Sequence, residues 1–257
     1  SKRGEAVARR IRRTAKRTAR NIISQYADSS FKPMQMEFVF GQNGISPILL
    51  ELADGTFVYL QGRIDRIDMT ADGAVRIIDY KSGGKKFDPT LVYWGLQLQL
   101  LLYMAAAIAR IPESRAAGFF YCRVADPTVK TEIRMKEEVE KQIAKKLALS
   151  GITLSDVSIL HAQGGAQAGM VTKDGKPNGR YASSMVTDEG MEHLIAFARN
   201  KATTLAGDIY AGIIDDSPYE RGSLNACQSC DYAPICTFDP ERKPRRRLSA
   251  KTLDDLL

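Results

Sequence analysis

The sequence predicts an α/β fold, a central mixed β-sheet flanked by helices, with a cysteine-containing tail after it. Three observations carry this expectation. Helix-like and strand-like periods alternate along the chain instead of segregating into blocks. Two strand-like runs flank Ala71-Asp72-Gly73, a three-residue hairpin loop in which glycine supplies the left-handed position without steric cost. The run that follows, 91–110, is apolar almost all round, as suits a helix packed against a sheet.

Each element has its own local reason. Residues 4–27 form a helix in which Val7, Ile11, Ala15, Thr18 and Ile22 make a narrow stripe expected to dock, with arginines around it left wet. After a break at Asp28 to Pro33, residues 34–40 alternate as a strand carrying Glu37, and the stretch 41–44 ends it. A hairpin over 48–52 and 56–59 comes next, then the hairpin of 59–69 and 74–81. Beyond the turn at Asp88-Pro89 lie the helix 91–110, a strand over 115–124 stopped by Asp126-Pro127, and a polar helix over 136–149. Residues 150–187 have little periodicity, with 173–179 as a loop tip. Thr187 or Asp188 caps a last helix reaching about residue 211.

The hairpin around Gly73 is where chemistry gathers. If Thr70 pairs with Ala74, Ile67 faces Ile77, Asp68 faces Arg76, Asp65 faces Asp79 and Arg63 faces Lys81. Alternation then puts Asp65, Ile67, Ile77, Asp79 and Lys81 on one face, and Asp68 with Arg76 on the other. Opposed carboxylates about 5 Å apart repel unless a cation or proton lies between them. Two carboxylates and an ammonium on one face can hold a divalent metal and stabilise the oxygens of a phosphodiester reaction. A one-residue slip would send the aspartates to opposite faces. Gln99 and Tyr103, four apart on the apolar helix, share a side and can project toward the same cleft. Glu37 is a candidate third carboxylate.

Composition narrows the partners. The chain has 257 residues, 44% of them hydrophobic, enough for a sizeable core. Its longest apolar run, 100–109, is too short to span a bilayer, so we expect a soluble cytoplasmic protein with no membrane partner. Nine of the Lys and Arg residues fall within residues 1–20 against Glu5 alone, so that segment carries +8 where the whole chain nets +7, and the rest sums to −1. Such a concentrated excess points to a local anionic partner, with nucleic acid the leading candidate and Arg9, Arg13, Arg17 and Arg20 the candidate contacts. A second basic segment lies at 241–247 and would help bind the same anionic partner. No Gly-x-Ser-x-Gly or phosphate-loop run is present, and His161 and His193 fall outside the acidic stretch. Of the four cysteines, Cys227, Cys230 and Cys236 crowd together, whereas Cys122 reads as a small buried hydrophobe in a strand.

Gly62-Arg63-Ile64-Asp65, Asp79-Tyr80-Lys81 and Gln99-x3-Tyr103, in that order, resemble the RecB-type branch of the PD-(D/E)XK nuclease superfamily. Cys227-x2-Cys230-x5-Cys236 is similar to the iron-sulphur tail of its AddB-like members, the B subunits of bacterial ATP-dependent helicase-deoxyribonucleases. Phe31-Lys32-Pro33, Phe40-Gly41, Ser217-Pro218-Tyr219, Cys230-Asp231-Tyr232 and Phe238-Asp239-Pro240 extend the likeness over nearly the whole chain.

The resemblance implies a restriction-endonuclease-like core and a Mg²⁺- or Mn²⁺-dependent DNA exonuclease working with an AddA-like subunit in double-strand-break repair. It implies a nuclease domain over 1–222, with its catalytic core about 34–124 and helical additions about 136–212, and a cysteine tail over 223–257. In it, Asp65, Asp79 and the backbone carbonyl of Tyr80 would hold the metal, with Glu37 nearby. Lys81 would position the attacking water or stabilise the phosphorane, while Gln99 and Tyr103 would contact DNA or support the site. Cys227, Cys230 and Cys236 would ligate a [4Fe-4S] cluster whose fourth cysteine lies far upstream in relatives. Only three are here, which leaves one cluster position without its usual ligand, and the opening at Ser1 suggests a fragment of a longer subunit. Zinc or free thiols at the tail, a stand-alone Cas4-like iron-sulphur exonuclease, and a DNA-end-binding module inactive by itself stay open as other readings.

Overall fold

A computed structural model of the chain describes residues 1–42, 45–129, 136–167 and 169–257. The strand end expected at 41–44 falls partly outside them. Helix α1 (Lys2–Tyr26) leads into β1 (Lys32–Phe40), a small hairpin of β2 (Ile48–Glu51) and β3 (Phe57–Leu60), and the central hairpin of β4 (Gly62–Met69) and β5 (Ala74–Lys81). Helices α2 (Pro89–Tyr93) and α3 (Gln99–Arg110) cross to β6 (Arg115–Arg123). Then come α4 (Lys136–Leu147), β7 (Ser150–Leu154), α5 (Val157–Ala162), β8 (Met185–Val186) and α6 (Asp188–Tyr210), capped by the Thr187 side chain. Short strands β9 (Tyr219–Arg221), β10 (Leu224–Asn225) and β11 (Arg246–Arg247) close the chain.

The main sheet runs β1-β4-β5-β6-β7-β8. It is mixed: β5–β6 and β7–β8 are parallel, the other pairs antiparallel. The Thr70 N–H donates to the Ala74 carbonyl at 2.9 Å, and Ile67 faces Ile77 while Asp68 faces Arg76, the register expected from the loop. One sheet face packs Ile67, Ile77 and Phe119 against Leu101 and Met104 of α3 and Leu194 of α6 in the main core. On the other face Ile78, Phe120 and Cys122 form a smaller cluster with Leu149.

Three expectations need correction. The single helix over 91–110 is two helices, because Gly95 takes φ of +80° after α2 and the buried Gln97 side chain bonds the Asp88 N–H and the Lys86 carbonyl. As a result α3 starts at Gln99, the residue facing the site. The stretch 150–187 contains β7, α5 and β8. Its strand was hidden by Gly151, where an added Cβ would stand 1.9 Å from the Phe119 carbonyl oxygen, so the position takes only glycine and carries no apolar signal. Finally, the stripe on α1 does not dock along its length: Val7 is 52% and Ile11 65% exposed. The helix is anchored from its C-terminal half instead, where Gln25 is its one buried residue.

The end of the chain returns to the body of the fold. Strand β9 pairs with β10 and with β11, so this small sheet joins residues on both sides of position 222. Thr90 exchanges hydrogen bonds with the Lys251 backbone, and Leu253 and Leu256 are buried in the main core.

Candidate active site

The central hairpin stops pairing regularly beyond Arg66 and Ile78, and there the chemistry collects. Past that point the Asp65 side chain takes over from the ladder: its Oδ2 accepts the Tyr80 N–H at 2.8 Å. Asp79, only 1% exposed, forms an ion pair with Lys81, Nζ to Oδ2 2.7 Å. The Lys81 ammonium also donates to Gln99 Oε1 at 3.3 Å, and the Gln99 amide donates to the Tyr103 hydroxyl at 3.0 Å. Five residues from two strands and one helix thus meet at one end of the sheet. The break at Gly95 makes this possible, since it sets Gln99 in the first turn of α3.

Burial raises the Asp79 carboxyl above its ordinary range, the Lys81 hydrogen bond opposes that rise, and the Asp65 carboxylate adds to it. The Asp65 carboxylate thus acts on Asp79 although it bonds in the plane of the sheet. A charge held at such a cost favours a cation nearby.

Sequence reasoning did not find two neighbours of this cluster. Tyr121 lies opposite Asp79 in the β5–β6 register, with Lys81 Nζ 6.0 Å and Lys85 Nζ 5.1 Å from its ring centre. The Gly83-Gly84-Lys85 run gives no hint of this contact, because the parallel register of β6 is set by the crossover through α2 and α3.

Glu37 stands between the Met36–Arg66 and Phe38–Ile64 pairs, level with Asp65, but its side chain is taken by Arg63. It has φ of +50°, is exposed, and its carboxylate lies 3.0 Å from Arg63 Nε. Among the described residues no group of three or more His, Cys, Asp or Glu side chains converges as a metal cage. The donor set at the hairpin is therefore two carboxylates plus backbone carbonyls, all hard oxygen ligands, which fits Mg²⁺ or Mn²⁺ completed by water and substrate. The tail does not fit a four-thiolate cluster as it stands. Cys230 and Cys236 are exposed, Cys227 is partly so, and Cys122 is buried away from them beneath α1, accepting from the Gln25 amide at 3.4 Å.

The basic segments are less free than their sequence suggests. Arg13 and Arg17 both pair with Asp126, and Arg17 also with Glu140. Arg9 lies 3.9 Å from Glu5, while Arg20 is exposed with no acidic partner among the described residues. In the 241–247 run, Arg242, Lys243, Arg245 and Arg247 pair with Asp239, Asp216 and Glu220. A cleft of about 1120 Å³, lined by Asn21, Lys86, Lys145 and Ser150 among others, contains none of the five hairpin and α3 residues.

Comparison with known proteins gives the family of the chain. The family model described as the PD-(D/E)XK nuclease superfamily matches residues 1–237. This chain belongs to the PD-(D/E)XK nuclease superfamily. Among curated proteins, this nuclease-family chain is 36% identical over 247 residues to the B subunit of the ATP-dependent helicase/deoxyribonuclease of Alkaliphilus metalliredigens, a match covering 90% of the chain and 21% of that protein. To the proteins of the same name from Clostridium botulinum (strain Hall) and Acetivibrio thermocellus it is 35% and 34% identical, over 93% and 95% of the chain and 22% of each relative. The chain spans about a fifth of the length of the relatives it matches. Among the described residues no helix is long and apolar enough to cross a membrane.

Proposed function

We propose that this domain hydrolyses DNA phosphodiester bonds in a Mg²⁺- or Mn²⁺-dependent, exonucleolytic reaction. In this reading it is the nuclease part of a cytoplasmic helicase-nuclease complex that prepares double-strand breaks for recombination, beside a helicase-bearing A subunit. The observation that carries the reading is the run of contacts Asp79, Lys81, Gln99, Tyr103 with Asp65 alongside, in a chain of this family.

Asp65, Asp79 and the Tyr80 carbonyl are the groups that would hold the metal. When bound, the metal polarises the phosphate and lowers the pKa of a coordinated water. The protein side of the reaction is then positional. The Lys81 ammonium is ion-paired with Asp79, so it can pass from that carboxylate to a phosphate oxygen, or orient the attacking water, by a small movement. Gln99 holds the ammonium from the other side, and the Tyr103 hydroxyl fixes the Gln99 amide so that its oxygen faces Lys81. Burial of Asp79 keeps bulk water from screening the charges as they shift.

The test pairs cleavage with binding. Asp79→Asn and Lys81→Ala should each slow Mg²⁺-dependent digestion of a DNA duplex by at least about a hundredfold, with DNA retention in EDTA kept by Asp79→Asn. Undiminished digestion by Asp79→Asn would overturn the site. Retention of DNA by the parent chain without cleavage under any divalent metal would make it a binding module.

A further inference from the structure

Lys85 is unusual among the lysines around the site. Its ammonium sits 5.1 Å above the centre of the buried Tyr121 ring, a ring that Lys81 also approaches, at 6.0 Å. Lys81 has a carboxylate at ion-pair distance; Lys85 has none among the described residues. Two like charges near one aromatic ring cost free energy, and desolvation of the ammonium end of the otherwise exposed Lys85 and the Lys81 charge both lower the Lys85 pKa, with Asp79 opposing. An anion lying between the two ammoniums would recover that cost. A phosphodiester strand, with its regularly spaced negative charges, is such an anion.

We propose that Lys85 is a second phosphate-binding residue, seated on the face of Tyr121, which receives the phosphate next to the scissile one while Lys81 serves the scissile phosphate. Tyr121 is then a positioning residue that acts through its ring. Its place follows from the parallel pairing of β5 with β6, which sets it beside Asp79. Its buried hydroxyl has no hydrogen-bond partner among the described residues, so the ring face and not the hydroxyl is the part in use. Attraction of an ammonium to a tyrosine ring biases a flexible lysine toward the site without a carboxylate that would compete with phosphate.

The proposal rests on the nuclease reading above, and the experiment separates the two. DNA oligonucleotide binding is titrated in EDTA over a range of salt, and cleavage kinetics are measured in Mg²⁺. Lys85→Ala should reduce the slope of log affinity against log salt by about 0.7 on a single strand or 0.9 on a duplex and raise KM about fivefold, with a smaller effect on kcat. Lys85→Arg should recover most of the slope. Tyr121→Leu should repeat the Lys85→Ala defect, and Tyr121→Phe should recover it because the ring is kept. An unchanged salt slope in Lys85→Ala overturns the inference, as does a Tyr121→Phe defect equal to Tyr121→Leu. If Tyr121→Leu loses its circular dichroism signature, the Lys85 pair alone decides. Asp79→Asn serves as the reference: inactive, it leaves the nuclease reading standing whatever Lys85 does; active, it removes that reading first.

Discussion

The two faces of the β4–β5 hairpin carry the same kinds of residue in opposite circumstances. On the α1 side, Arg66, Asp68 and Arg76 are fully buried, and each carboxylate oxygen of Asp68 meets a guanidinium, at 3.1 Å and 2.8 Å. Gln25 and the Tyr80 hydroxyl bond Arg66, Gln163 bonds Arg76, and the Tyr26 hydroxyl donates to Asp68. The partners come from α1, from β5 and from Gln163, so that cluster ties α1 and the segment after α5 to the sheet. At the site end, Asp65 and Asp79 are served by one backbone N–H and one lysine, with Lys85 held in reserve. A buried network that pairs most of its charges, leaving only Arg66 Nε and one Arg76 nitrogen without a hydrogen bond among the described residues, is architecture, whereas one with few partners retains capacity for a ligand.

Exchanging the perturbation between the two faces gives the largest effect. Asp68→Ala should cost about 3–5 kcal/mol in denaturant unfolding, because two buried guanidiniums lose their counter-charge, while the folded fraction still cleaves DNA. Asp79→Asn should do the reverse: cleavage is lost and stability stays within about 1 kcal/mol, since its carboxylate is already penalised by burial. Equal stability losses in the two variants would break the contrast.

A gentler cut sharpens it. Tyr26→Phe removes only the hydroxyl that donates to Asp68 at 3.2 Å and keeps the ring that Arg66 overlies at 5.0 Å. It should lower stability by about 1.5 kcal/mol without altering cleavage per folded molecule.

The exposed cluster at the opposite end of the sheet should respond least. Hydrogen bonds from the Ser158 hydroxyl and from Arg115 hold the Asp156 carboxyl below its ordinary range, and Arg115 does the same to Asp188. Depressed values of this kind add stability above the unfolded carboxylate pKa and lose it as pH falls through the folded values. Arg115→Met should therefore flatten the decline in stability below about pH 4 and leave neutral activity alone. Asp156→Ala, which also removes the cap on the Ser158 and Ile159 N–H groups, should cost about 1 kcal/mol.

Local rules explain what could be read beforehand. The register of the central hairpin was suggested by a three-residue loop ending in glycine, and the faces of Ile67, Ile77, Asp68 and Arg76 followed from it. Gln99 and Tyr103 were readable as neighbours because four residues make about one helical turn. What escaped depends on contacts distant in sequence. Gly95 gave no warning that Gln97 would be drawn into the 86–88 loop and split a helix. Gly151 hid a strand by being the one residue small enough for it. The stripe on α1 had the periodicity of a docked helix, yet only its C-terminal half meets the sheet.

By itself, then, the sequence determined the α/β class, the acid-bearing hairpin and the order of the motifs, all consequences of periodicity and turn chemistry over short spans. Tertiary structure decided the rest. It buried Arg66, Asp68 and Arg76 together as an ion-paired cluster and bonded Arg13 and Arg17 to acids more than a hundred residues away. It kept Glu37 on Arg63 and set Tyr121 and Lys85 beside Lys81. The physical reason is that a charge's role depends on which groups surround it once water has been removed, and only the packing of distant segments removes the water.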